Sequence, residues 1–560
     1  PRPLGVRVTT ARTPHRSAAP PGPWTSNNGL TIRDLVPAAD RRAWVAAGHC
    51  PDRDLYSLFA AHVRRHPRRE AVIDRAGSLD YRTLDRWVRH IAGRLRDAGL
   101  DHRDIIAVRL PNGRAAVAAE LAVAALGAVA LPYPAGPGTR DTLSLLRRSR
   151  ARGAVLADPA DIGLAPHLPD LRAVCAFGPG RPGVHSLCAQ SRPLRPRPVD
   201  PEAPARILVS SGTESEPKMA AYSHNAVAGG RANYLRALHP GPGPMRNLLL
   251  VPLGSSYGSC GSYVTVAALG GTLILQDSHD PATTWDTLTR HRPTHVFAVP
   301  TLLRRLAEHP ARPGEDVTGL HALVSSCTGL PETTAAACRE RFRRPVIAVY
   351  GSTDGVNCHT AATGLGPGTG TGRPDPAVTG IRVLDARGRE LPPGRTGEIC
   401  ARGPMTPLGY VADPGLDRRL RTPAGWVRTG DRGHLDERGR LHLEGRLAQI
   451  IDRGGYSISP AQLDRELGTH PAVAEAVCVP VPDPELGQRV CACVRQVPGG
   501  PRLTLADITA YLEDRRGLER RKLPELLLHL TEMPLTPTGK ICHRTLTTLA
   551  TTHHKTRHQR

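Results

Sequence analysis

Apolar positions along this chain fall into two rhythms that alternate with one another. Leu84, Trp87, Ile91 and Leu95 share one stripe at helical spacing, which predicts a helix over 84–100. A buried strand is predicted over 105–110. The apolar stretch from Ala115 to Leu131 carries Glu120 and ends at Pro132. It is too short and too interrupted to cross a membrane, and predicts a buried helix followed by a strand. The same alternation then recurs. Strands are predicted at 207–209, 248–251, 272–275, 295–299, 320–324 and 345–349. Helices fall between them at 224–235, up to 269, and at 281–291, 302–308 and 332–342. Repeated strand–helix units of this length imply an α/β architecture with largely parallel sheets.

Beyond Tyr350 the pattern changes to short strands separated by Gly and Pro turns, at 381–384, 397–401, 426–429 and 441–444, which predicts a β-rich subdomain. A second, smaller α+β unit begins after Arg446, with helices at 460–467 and 504–515 and strands at 474–480, 490–495 and 525–530. The expected organisation is a basic, proline-rich disordered leader (1–30), a large N-terminal domain (40–446), a small C-terminal domain (447–546) and a basic tail (547–560). At 560 residues the chain is long enough for several cores.

The net charge of +23 raises a nucleic-acid reading. The arginines are spread along the chain, however, and only 4% of residues are aromatic, which leaves few platforms for base stacking. The charge therefore reads as solvated surface, and neither nucleic acid nor membrane is expected as a partner. Twelve cysteines without paired spacing predict reduced, mostly buried thiols. With no apolar signal segment at the basic N-terminus, a cytoplasmic location is expected.

Against 74 basic residues the four lysines stand out, and two of them lie in small, hydroxyl-rich loops. Lys218 closes Ser-Ser-Gly-Thr-Glu-Ser-Glu-Pro-Lys (210–218), and Lys540 closes Pro-Leu-Thr-Pro-Thr-Gly-Lys (534–540). The first loop follows an apolar strand, where backbone N–H groups and hydroxyls can face phosphate oxygens while a lysine bridges them. No Walker A loop is present. The run Gly366–Gly372 precedes Arg373-Pro374 rather than a helix and reads as a turn.

Further blocks follow in order: Tyr350-Gly351-Ser352-Thr353-Asp354, Trp426 to Asp431, Gly445-Arg446, Arg453 to Pro460, and the loop ending in Lys540. Over about residues 50–546 the chain thereby resembles the adenylate-forming superfamily, which includes acyl- and aryl-CoA synthetases, luciferases and adenylation domains. The resemblance implies use of ATP and Mg²⁺ to convert a carboxylic acid into an acyl-adenylate, followed by transfer to a thiol. It implies that Ser210, Ser211, Gly212, Thr213 and Lys218 cradle phosphates and that Tyr350 and Gly351 to Thr353 meet the nucleotide. Asp354 would hold the metal, and Asp431 and Arg446 would bind the nucleotide. Lys540, on a mobile C-terminal domain, would bridge carboxylate and α-phosphate, with Lys218, Thr213 and Asp354 as its catalytic companions. Gly454 and Gly455 would border the thiol channel. Ser255, Ser256, Tyr257, Thr328, Gly329 and Val356 would line the acyl pocket.

The chain departs from the family pattern at several of these places. Asp354 stands where Glu is usual, which shortens the metal-binding side chain by one methylene. Ala448 occupies a hinge position usually held by Asp or Lys, and Asp452 one that is often basic. Glu214 and Glu216 add negative charge to the phosphate loop. In the run Gly254 to Gly258 the His-Asn pair of dihydroxybenzoate activators is missing, and no Asp is placed for an amino-acid ammonium. An acyl, alicyclic or aryl acid remains. The leading expectation is a CoA ligase. The alternatives are a stand-alone enzyme that loads the phosphopantetheine of a separate acyl or peptidyl carrier protein, and a binding protein with weakened catalysis.

Overall fold

The computed structural model describes residues 23–558 apart from 134–138, 158–166, 211–216 and 537–539 and the single positions 180, 240, 277, 328, 367, 455 and 501. Two eight-stranded sheets carry most of the chain. In the first, the strands Val129–Pro132, Ile105–Arg109, Gly153–Leu156, Ala173–Ala176 and His185–Ser186 run parallel, and Pro204–Ser210 joins them in parallel. Lys218–Ser223 and then Gly409–Tyr410 extend that edge antiparallel. In the second sheet, Val346–Gly351, Ala322–Ser325, His295–Ala298, Arg246–Leu249, Thr272–Leu275 and Glu70–Asp74 are parallel, with one antiparallel strand at each edge. The mixed α/β architecture expected from the alternating rhythm is the one observed.

Local signals explain much of this. Helix Tyr81–Asp97 starts where the Asp80 carboxylate accepts from Thr83 N, and it buries Tyr81, Leu84, Val88, Ile91 and Leu95 along one face. Helix Arg114–Leu126 is buried along nearly its whole length and stops at Gly127, whose φ of 78° suits a residue without Cβ. Its Glu120 does not lie idle in that apolar setting but pairs with Arg206 of the neighbouring sheet.

A four-stranded antiparallel sheet (Gly380–Leu384, Gly397–Arg402, Val427–Leu435, Leu441–Arg446) matches the expected β-rich subdomain. Thr371 N–H donates to the Leu441 carbonyl of its edge strand, and a Cβ at Gly372 would stand 1.9 Å from the His359 carbonyl oxygen. Only glycine permits that approach. Past a single turn at Leu447–Gln449 a separate five-stranded sheet gathers Ile451–Arg453, Tyr456–Ile458, Val473–Asp483, Gly487–Gln496 and Leu526–His529. It has its own core around Leu463, Val490 and Ile508. Arg304 Nε lies 3.7 Å from Glu475 Oε1, an ion pair between the large sheets' helical layer and this smaller unit.

Two readings of the chain ends need correction. Trp24–Thr25 pairs with Thr31–Ile32, and Leu30 and Ile32 are buried, so 23–30 is folded rather than part of a disordered leader. Composition hides this because polar Ser26 and Asn27 are used in bonds, to Leu30 N and to Asp104. Residues 551–558 continue the helix His543–His558 instead of forming a loose tail, with Leu546 and Ala550 packed beside Val477 and Val479. Three predicted helices also contain wider π-turns, at Val227–Arg231, Gly261–Ala268 and Tyr511–Arg515. All twelve cysteines are free and nine are buried. No helix among the described residues is long and apolar enough to cross a membrane.

Candidate active site

Ser210 and Lys218 face each other as the last pair of an antiparallel hairpin. Ser211, Gly212 and Thr213, between them, lie outside the described residues, as do Thr328 and Gly455. Arg148 donates to the Pro217 carbonyl at 2.9 Å, so a second cation stands at the base of this hairpin.

Tyr350 and Gly351 end a central strand of the second sheet, and Ser352 to Gly355 turn back into Asn357–His359. The turn is close-packed. Gly355 has φ of 91°, and a Cβ there would lie 2.6 Å from Pro407 Cδ. Tyr350 Oη donates to Asp431 Oδ2 at 2.6 Å, and Arg446 Nε lies 3.2 Å from Asp431 Oδ1. Asp431 and Arg446 are register partners on adjacent strands, which brings their side chains to one face. Burial pushes the Asp431 carboxyl above its ordinary value, while Arg446 and the Tyr350 hydroxyl oppose that shift and the nearby Asp354 charge adds to it. Burial also raises the Tyr350 phenol well above its usual range, reinforced by Asp431.

Asp354 is 9% exposed and its Oδ1 accepts from the Tyr410 hydroxyl. Among the described residues nothing donates to Oδ2. That leaves a hard oxygen of the kind Mg²⁺ takes, so the site's chemistry fits a divalent cation held by Asp354.

Ser255, Ser256 and Tyr257 form a turn in front of the Gly258–Cys260 helical turn, and Tyr257 Oη donates to the Val324 carbonyl at 2.8 Å. Val356 is fully buried, and Gly329 is exposed. Gly454 sits in the turn between Ile451–Arg453 and Tyr456–Ile458, its N–H bonded to Leu486 O. Lys540 comes from the smaller unit, with Thr536 bonded across the loop to it. Burial raises the Cys327 thiol, and the Lys540 ammonium opposes that rise.

Four residues escaped sequence reasoning. Cys327 takes a left-handed φ of 84°, a strained choice for a side chain with Cβ. Arg231 is 5% exposed and donates to Ser256 O, Ser259 Oγ and Tyr222 Oη. Tyr222 Oη donates in turn to the Thr353 carbonyl at 2.8 Å. Tyr410 holds Asp354. A charged residue inside the apolar run 226–235 was the one available signal, for Arg231.

Comparison with known proteins identifies the family. The AMP-binding enzyme family matches residues 59–411, and the AMP-binding enzyme C-terminal domain matches 462–540. The chain is 30% identical to the salicyl-AMP ligase / salicyl-S-ArCP synthetase of Mycobacterium tuberculosis, over 91% of this chain and 93% of that protein. It is 29% identical to the 2-hydroxy-7-methoxy-5-methyl-1-naphthoate–CoA ligase of Streptomyces carzinostaticus, over 95% and 98%. The amide bond synthetase McbA of Marinactinospora thermotolerans superposes with a TM-score of 0.77 at 29% identity, covering 89% of this chain and 99% of that one. The chain therefore belongs to the AMP-binding family of adenylate-forming ligases.

Proposed function

We propose that this enzyme activates an aromatic carboxylic acid with ATP and passes the acyl group to a thiol. The observation that carries the reading is the convergence of Tyr350 and Arg446 on Asp431, 81 positions along the chain from Tyr350, beside Asp354. In the first step the substrate carboxylate attacks the α-phosphorus of ATP and pyrophosphate leaves. In the second a thiol attacks the acyl carbonyl and AMP leaves. The first step joins two anions, so positioning and charge stabilisation dominate its catalysis.

Lys218 and the hairpin it closes serve the β- and γ-phosphates. Tyr350 serves as the adenine platform, and Asp431, with Arg446, serves the ribose and phosphates. Mg²⁺, when bound through Asp354, supplies neutralising charge to the polyphosphate. Lys540 serves the carboxylate and α-phosphate in the first step, and Gly454 with Gly455 borders the thiol in the second. The aromatic substrate is supported by relatives named for salicylate and a hydroxynaphthoate, and by Tyr257 at the pocket.

CoA is the proposed acceptor, in line with the naphthoate–CoA ligase relative. A carrier-protein phosphopantetheine is the second reading, favoured by the salicyl-S-ArCP synthetase relative. Pyrophosphate exchange into ATP across a panel of aryl, alicyclic and aliphatic acids tests the first step. Exchange with hydroxylated aryl acids is expected, and no exchange with any acid would leave only a binding protein. Adding CoA or a phosphopantetheinylated carrier to the accepted acid then decides the acceptor.

A further inference from the structure

Two buried tyrosines on neighbouring strands grip two consecutive residues of the candidate site. Tyr410 lies on the edge strand Gly409–Tyr410, and Ala220 and Ala221 of Lys218–Ser223 are the register partners of Tyr410 and Gly409. Tyr222, two residues on from Ala220, donates its hydroxyl to the Thr353 carbonyl. Tyr410 donates to Asp354 Oδ1. Each ring has a buried arginine over it, Arg231 at 4.7 Å from Tyr222 and Arg421 at 5.9 Å from Tyr410. Among the described residues neither arginine forms an ion pair with a carboxylate. In its contact with Asp354 the Tyr410 hydroxyl is the donor and the carboxylate the acceptor.

The turn itself is immobilised from the same side. Asp354 N donates to Ser352 Oγ at 3.0 Å, and Gly355 is packed directly on Pro407 and Met405, three and five residues before Tyr410. With Oδ1 occupied by a neutral donor, Oδ2 has one direction in which to find a partner. A hydrogen bond of this kind orients a ligating carboxylate and tunes its affinity.

We propose that Tyr410 is a positioning residue that aims the Asp354 carboxylate at the divalent cation of bound nucleotide, with Tyr222 holding the backbone one residue earlier. This rests on the adenylating reading above. It also accounts for the shorter acid, because the clamp is built to the length of aspartate. A glutamate would carry the carboxylate one carbon–carbon bond past the hydroxyl.

The test is calorimetric titration of the full-length protein with ATP, once with Mn²⁺ and once metal-free in EDTA. For Tyr410→Phe, the MnATP affinity is expected to fall about tenfold while metal-free ATP binds as in the wild type. Equal affinities for MnATP in variant and wild type would overturn the proposal, as would a parallel loss for both forms of ATP. Asp354→Glu is a second, independent arm in which the hydroxyl is kept: it should bind MnATP more weakly than the wild type, and equal or tighter binding overturns the clamp. A wild-type protein that binds neither form of ATP overturns this inference together with the adenylating reading, whereas intact wild-type binding with unaffected variants overturns this inference alone.

Discussion

Glu120 Oε2 and Arg206 Nη1 meet at 2.6 Å where each side chain is 1% exposed. The pair is part of a larger tie. Arg206 also donates to the Leu253 carbonyl at 2.7 Å, just ahead of Ser255 to Tyr257, and Tyr263 Oη donates to the Glu120 carbonyl. The guanidinium lies 5.7 Å from the Tyr263 ring centroid. A buried pair of this kind gives little net stability over apolar residues of the same volume, but losing one partner strands the other charge. Arg206→Met should therefore destabilise the protein by about 3–5 kcal/mol. The double variant Glu120→Leu/Arg206→Met should recover most of that loss. Thermal unfolding of the wild type, Arg206→Met, Glu120→Leu and the double variant measures it, and simple additivity of the two single losses would contradict the pairing.

The elements were legible wherever local chemistry sets them. Helix Pro281–His291 has the predicted ends because the Asp280 carboxylate caps Thr283 N and Arg292 turns left-handed behind it. Helix Glu332–Phe342 ends at the predicted residue for the same reason, at Arg343. Where tertiary contact decides, the pattern was silent. Nothing local in Gly409-Tyr410 announces a hydroxyl bound to Asp354, 56 residues earlier. The last helix reads as a solvated tail because His553, His554 and Lys555 give it no continuous stripe, and it is the packing of Leu546 and Ala550 that orders it. Motif order, by contrast, pointed to Tyr350, Asp354, Asp431 and Arg446, which the fold brings together. The linking residues Tyr222 and Tyr410 became visible only in the packing, and Arg231 had only its charge inside an apolar run to mark it.

Asp464 makes the smaller unit sensitive to pH. It projects from helix Pro460–Leu467, and its Oδ1 accepts from Cys478 N at 2.6 Å. Burial raises its carboxyl to about 7, a shift that the Cys478 bond only partly opposes. A carboxyl whose pKa is higher folded than unfolded stabilises the fold fully below the unfolded value, and that contribution disappears as pH rises through the folded one. The melting temperature of the wild type should therefore drop between pH 5 and pH 8 by more than that of Asp464→Asn, which keeps an acceptor for Cys478 but carries no titrating proton. Identical pH profiles for the two proteins would rule Asp464 out as the source.

Lys540 offers the sharpest separation between the two half-reactions. The loop that carries it is closed by Thr536, whose N–H bonds the Lys540 carbonyl at 2.6 Å, and by the Leu535–Ile541 bridge. Three residues further on, burial and the Arg446 guanidinium both depress the His543 imidazole. Lys540 itself opposes the rise of the Cys327 thiol. On the proposed reading, an ammonium in that position would stabilise charge while the carboxylate attacks phosphorus, and would have no comparable partner once the adenylate is made. Lys540→Ala should lower acid-dependent pyrophosphate exchange by about a hundredfold or more, the usual scale for one lost electrostatic contact to a transition state. Thioester formation from supplied acyl-adenylate should stay within a few-fold of the wild type. Lys218→Ala is the informative contrast: on the proposed reading Lys218 serves phosphates only while ATP is bound, so its loss should raise the KM for ATP in the first step and leave the second alone. Equal losses of both half-reactions in Lys540→Ala would mean that the ammonium supports the pocket rather than the first step.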